Sequence, residues 1–210
     1  MLEVYAFATP NSVKVPITLE ELGLEYALYP VNIRNGAQKD PAFLARNPNG
    51  KVPVLVDSSL PGGPLTLSES AAILVYLAEK TGKLLPGAAK ARARVMEQMF
   101  FHASALGPAF GNSGYFRKSA PEPIPHAIDR FRGEARRVLG VLDKTLASSP
   151  FVAGEALTIA DIAHFGWLWR REFAGVDFAE MPHVARWYAA LEVRPTFERG
   201  IARTSALAQA

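Results

Sequence analysis

A chain of 210 residues, 49% hydrophobic and 20% charged, is long enough to bury one large core or two small ones. Its 23 Lys and Arg against 20 Asp and Glu leave a net charge of only +3, and its densest basic cluster, Arg130, Arg132, Arg136 and Arg137, is broken by Asp129 and Glu134, which argues against nucleic-acid binding. It has no cysteine, which excludes disulfides, thiolate metal sites and a protein thiol nucleophile, and no apolar run near the ~18 residues of a membrane span. With no leader-like opening segment, the expected location is the cytoplasm, with no membrane partner.

In chain order, Leu2 to Ala8 is rich in apolar and β-forming residues and reads as a buried strand. The turn Thr9-Pro10-Asn11-Ser12 follows. Val13, Ile17, Leu19, Leu22 and Leu24, with Lys14, Glu20 and Glu21 between them, then read as an amphipathic helix. Asn11 or Ser12 is the expected N-cap and Gly23 the expected C-cap. Pro16 is awkward so early in a helix and blurs its start. Glu25 to Val31 reads as a second strand, and Asn32 to Lys51 as turn-rich sequence around Asn35-Gly36 and Asn47-Pro48-Asn49-Gly50, with a short helix near Pro41 to Arg46. Val52 to Asp57 is a third strand and Leu65 to Leu67 a fourth, after which Ser68-Glu69-Ser70 opens a helix over Ala71 to Lys80.

Residues 1–81 thus form a β-α-β-α-β-β-α unit, residues 82–88 a linker, and residues 89–210 an all-helical domain. Expected there are a helix from Ala89 to about Phe110, a loop from Gly111 to Pro125, and a second helix to about Ala147. A helix through Trp169 follows, capped by Thr158 and Asp161 at capping-box spacing, then a last pair, Pro182 to Val193 and Pro195 to Leu207. Substituting either capping residue is expected to cost about 1 kcal/mol. Trp167, Trp169 and Trp187 read as packing residues. His102, His126, His164 and His183 never fall at metal-ligand spacing, so no metal is expected.

A strand that delivers hydroxyl and amide side chains to a helix N-terminus builds an anion site, which places Thr9, Asn11 and Ser12 among the candidates. Three separated features coincide with it: the strand-turn-helix with Thr9 and Asn11, the Val52-Pro53 strand start, and Ser68-Glu69-Ser70 at a helix start. With Leu157 to Asp161 in the helical half, the chain resembles the cytosolic glutathione S-transferases over nearly its whole length. Thr9-Pro10-Asn11, Gly36-Ala37-Gln38 and the run from Leu106-Gly107-Pro108 through Ile128-Asp129-Arg130 resemble the bacterial nu class, glutathione-dependent disulfide-bond oxidoreductases related to a fungal nitrogen regulator.

The resemblance implies a thioredoxin-like N-terminal domain with a mixed four-stranded sheet, an α-helical C-terminal bundle, and glutathione as cosubstrate, two molecules per site for disulfide reduction. It implies Thr9 and Asn11 as the residues that hold the thiolate, and Asn11, Gln38, Lys51, Val52, Pro53, Glu69, Ser70 and Arg130 as glutathione-binding residues. Val52-Pro53 would be the family's cis-proline step, Glu69 would meet the tripeptide's ammonium, and Ser70 its γ-glutamyl carboxylate. Tyrosine-type chemistry is not indicated, since Tyr5 sits too early in the strand. Phe100 and His102 are candidates for a second-substrate pocket. Family members are two-fold dimers, with Arg92, Met96 and Met99 as candidate contributors. Disulfide reduction, conjugation to an electrophile and peroxidase activity all remain open at such a site, as does a non-catalytic glutathione-fold binding or regulatory role.

Overall fold

The structure, a computed structural model, describes residues 1–209 and groups the chain into two compact units, Met1–Lys83 with Val193–Ala210, and Leu84–Glu192.

The first unit is built on a four-stranded sheet of order β2-β1-β3-β4. β1 (Leu2–Ala6) runs parallel to β2 (Tyr26–Pro30), with Val4 opposite Leu28. β3 (Val54–Asp57) is antiparallel to β1 and to β4 (Leu65–Ser68). Parallel neighbours need a crossover, and α1 (Lys14–Leu22) supplies it. Both central strands are apolar and buried, as strands covered on two faces must be: Val4, Val54 and Leu55 have no exposed surface. α1 ends at Gly23, whose φ of 68° suits the left-handed cap, with Leu24 N–H donating to the Leu19 carbonyl. The loop after β2 holds a 3₁₀ turn (Ala37–Lys39) and α2 (Pro41–Leu44), and α3 (Ser70–Thr81) follows β4.

The helix start differs from expectation. Neither Asn11 nor Ser12 caps α1. Instead Thr9 Oγ1 accepts the Ser12 N–H at 3.1 Å, the i to i+3 geometry of a cap, on a turn that leads into the helix at Lys14. That register also removes the difficulty with Pro16. It lies in the first turn, where backbone N–H groups have no intrahelical acceptor to lose.

The last helix, α10 (Pro195–Ala206), packs on α1, although chain order groups residues 193–210 with the helical domain. Gly200 permits the approach, since a Cβ there would stand 2.8 Å from the Ile17 backbone. Arg194 adds a two-pronged pair to Glu21 at 2.9 and 3.0 Å, and Arg199 an ion pair to Glu20 at 2.8 Å.

In the second unit, α4 (Ala89–Phe101) runs through a π-helical segment (His102–Leu106) into α5 (Gly107–Lys118). The expected loop from Gly111 is therefore helical as far as Lys118. Its glycines are contact points: a Cβ on Gly111 would lie 3.3 Å from the Trp167 ring, and one on Gly114 would overlap Phe173. Pro108 falls at the start of α5, where the widened π turn spares a lost hydrogen bond. α6 (Pro125–Leu146), α7 (Ile159–Leu168), the single turn α8 (Arg171–Ala174) and α9 (Pro182–Glu192) complete the unit.

The Thr158–Asp161 capping box is present, and Asp161 does more than cap. Wholly buried, it accepts from the Val152 N–H, the Thr158 N–H and hydroxyl, and Trp187 Nε1, all within 3.0 Å. Among the described residues no helix is long and apolar enough to cross a membrane.

Candidate functional site

In the first unit, the turn after β1, the loop before β3 and the start of α3 meet around a cleft of about 270 Å³. Asn11, Asn47, Asn49, Lys51, Val52, Pro53, Glu69 and Ser70 line it. Six of these are residues the sequence proposes: Asn11, Lys51, Val52, Pro53, Glu69 and Ser70. They come from positions far apart in the chain, and the sheet is what gathers them.

Each wall has its own local cause. The Val52-Pro53 peptide bond is cis. Asn47, nearly fully buried, holds the loop in front of it: its Nδ2 donates to the Lys51 carbonyl at 2.7 Å, and its Oδ1 accepts the Asn49 N–H at 3.1 Å. The sequence showed the Asn47 to Gly50 stretch only as a turn. The signal for more was an asparagine able to bond its own backbone two residues on. At the third wall, Glu69 has φ 68°, a conformation that costs a side-chain-bearing residue about 1–3 kcal/mol. It precedes Ser70, the first residue of α3, and no side chain caps that helix, so its first N–H groups remain available at the cleft.

The β1 turn is wired differently from expectation. Thr9 does not line the cleft. Its hydroxyl donates to Ser12 Oγ at 2.9 Å while its oxygen accepts the Ser12 N–H. Ser12, fully buried, also takes the Phe7 N–H at 3.4 Å. Asn11 does face the cleft, and its Oδ1 accepts from Lys14 Nζ at 2.8 Å. Lys14 is wholly buried and donates as well to Ser70 Oγ at 3.3 Å. Burial pushes its ammonium down from 10.5 to about 7, with the Glu69 carboxylate opposing the shift. The sequence placed Lys14 among the polar residues of α1. A cation in a helix's first turn, where the dipole disfavours it, was the signal that it serves something else.

The remaining candidates lie elsewhere. Gln38 belongs to the 3₁₀ turn beside Gly50, outside the cleft lining, and its Oε1 is buried with no hydrogen-bond partner. Arg130 is exposed on α6 of the second unit. In that unit Phe100 is 67% exposed at the end of α4, whereas His102 is buried and packs edge-on against His164 with ring centroids 5.3 Å apart. Met99, a candidate for a subunit contact, is buried in its own unit's core. Among the described residues no group of three or more His, Asp or Glu could hold a metal ion.

Comparison with known proteins gives the same arrangement a family. Residues 8–80 match the glutathione S-transferase N-terminal domain and residues 106–195 the glutathione S-transferase C-terminal domain. Disulfide-bond oxidoreductase YfcG of Escherichia coli is 41% identical over 199 residues, covering 93% of this chain and 92% of that protein. Disulfide-bond oxidoreductase YghU of the same organism is 40% identical over 212 residues, covering 95% of this chain and 73% of that protein. The crystal structure of a glutathione transferase family member from Pseudomonas fluorescens, with two glutathione molecules bound, superposes with a TM-score of 0.90 at 40% identity. It covers 95% of this chain and 92% of the other.

Proposed function

The chain belongs to the glutathione S-transferase family, and from that premise we propose that it is a glutathione-dependent disulfide reductase whose cleft holds the glutathione thiolate at Asn11. The observation that carries the proposal is the meeting of Asn11, the Lys51-Val52-Pro53 loop and the Glu69-Ser70 helix start around one cleft, in a chain without cysteine. A tripeptide with an ammonium, two carboxylates and a thiol finds there a carboxylate in Glu69 and hydroxyl and backbone donors at Ser70. It also finds backbone groups at Val52 and an ammonium at Lys51.

With no thiol of its own, the chain cannot form a mixed disulfide with its substrate. Its part is to lower the thiol pKa from ~8.5 and to aim the thiolate. The first glutathione thiolate attacks a substrate sulfur, forming a glutathionyl mixed disulfide and releasing one substrate thiolate, which takes up a proton. A second glutathione thiolate attacks the glutathionyl sulfur, giving glutathione disulfide and the second substrate thiolate. Two glutathione molecules are consumed, the substrate gains two electrons, and two protons move from glutathione to the product thiols. The two glutathiones bound by the Pseudomonas fluorescens relative support that stoichiometry.

Thr9 takes part at one remove: its hydroxyl pair with Ser12 fixes the turn that presents Asn11 to the thiolate. The test is a steady-state assay of the purified protein with glutathione and a small organic disulfide, beside a hydroperoxide and a chloronitroaromatic electrophile. Preferential turnover of the disulfide, with glutathione disulfide as product, is the expected result. Conjugation alone would replace the proposal with a transferase reading. Glutathione binding without turnover of any of the three would replace it with a binding protein.

A further inference from the structure

Neither helix formation nor core packing explains Lys14. A helix N-terminus repels a cation, and burying an ammonium costs several kcal/mol unless something uses it. It touches the back of the cleft wall, at Asn11 Oδ1 (2.8 Å) in the turn before α1 and at Ser70 Oγ (3.3 Å) at the start of α3.

We propose that Lys14 is the positioning residue of the site, turning Asn11 and Ser70 into donors toward the bound anion. The Lys14 ammonium can only donate hydrogen bonds. An asparagine held by a lysine must therefore offer its oxygen to that lysine and direct its NH₂ the other way, into the cleft. A serine whose oxygen accepts from lysine keeps its own proton for an outside acceptor. One buried ammonium thus sets two groups that otherwise have both donor and acceptor faces, one for the thiolate and one for a carboxylate. It also places a positive charge behind both anions, where low dielectric strengthens it. The charged groups that line the cleft itself are Lys51 and Glu69, and Glu69 counters the burial of Lys14. This assignment rests on the reading of the cleft as a glutathione site.

The test is the pH at which the thiol of bound glutathione ionises, followed by thiolate ultraviolet absorbance, together with glutathione affinity. The proteins compared are the unaltered protein, Lys14→Met, Lys14→Gln, Asn11→Ala and the double variant Asn11→Ala with Lys14→Met. Lys14→Met should raise the ionisation pH by about one unit, roughly a tenfold loss of thiolate near neutrality. Lys14→Gln, which can still donate to Asn11, should recover part of that shift. In the Asn11→Ala background, Lys14→Met should add clearly less than it does alone. If Lys14→Met proves unstable, the Lys14→Gln titration decides instead, with a shift toward higher pH required. A Lys14 variant that binds glutathione and ionises it like the unaltered protein overturns the role of Lys14, and so does simple additivity with Asn11→Ala. An unaltered protein that does not bind glutathione overturns the reading of the cleft, and the assignment of Lys14 with it.

Discussion

The Thr9 hydroxyl donates to Ser12 Oγ at 2.9 Å, and the Ser12 N–H returns a hydrogen bond to Thr9 Oγ1 at 3.1 Å. The turn between β1 and α1 is therefore closed on itself before any ligand arrives. Thr9 and Ser12 work as a pair, with Ser12 as the buried half. Ser12→Ala removes the acceptor for both the Thr9 hydroxyl and the Phe7 N–H, so it should destabilise the fold by about 1–2 kcal/mol and, by loosening the turn that presents Asn11, raise the ionisation pH of bound glutathione. Thr9→Ser keeps the hydroxyl and should leave that pH unchanged. Urea unfolding and thiol titration of the two variants measure both effects.

Lys14→Met is expected to be at least as stable as the unaltered protein while working less well, because it removes an ammonium whose charge burial penalises. The sign of its pH dependence follows from the ionisation of Lys14 near 7 in the folded chain, against an ordinary 10.5. At and below about pH 7 the folded chain carries the full burial penalty. Between there and 10.5 the unfolded chain holds a proton the folded one has shed, so stability of the unaltered protein rises with pH. The Tm advantage of Lys14→Met should thus be largest at pH 6–7 and shrink by pH ~9. Scanning calorimetry at two pH values checks it.

Asp161→Ala leaves three N–H groups and one hydroxyl without their buried acceptor, among them Trp187 Nε1 and the Val152 N–H. Its cost should be on the order of 3 kcal/mol or more, against about 1 kcal/mol for a simple cap. Thr158→Ala should stay near the lower figure. Denaturant midpoints of the two variants compared side by side measure the difference.

Gly200→Ala should cost about 1–3 kcal/mol by pushing α10 off α1, since the new methyl carbon meets the Ile17 backbone rather than a movable side-chain tip. Gly133→Ala, on α6 with open space around it, should be neutral or slightly stabilising. Thermal unfolding of both variants makes the comparison.

Much of this was legible in the chain itself. Strand and helix periodicity located all four strands, and chemistry at three turns located Asn11, Lys51 to Pro53, and Glu69-Ser70. Lys14 carried only a slight signal, a cation in a helix's first turn, because its use depends on Ser70, 56 positions away. Asn47 was hidden for the opposite reason: its bonds are local, so it looked like a turn and nothing more. α5 was misread as a loop because its glycines and proline are weak helix formers. They are kept there by contacts with Trp167 and Phe173, which composition does not reveal. α10 looked like one more helix of the second unit. The missing side chain of Gly200, the arginine fork on Glu21 and the Arg199–Glu20 pair fix it to α1.

On the proposed function, this chain, without a cysteine, supplies an environment in which a glutathione thiol becomes a thiolate near neutral pH. Titrating the thiol in the complex of the unaltered protein with glutathione, by thiolate ultraviolet absorbance, tests that directly. Ionisation at least one unit below the ~8.5 of a free thiol is predicted. Ionisation at or above that value, with glutathione demonstrably bound, would contradict it.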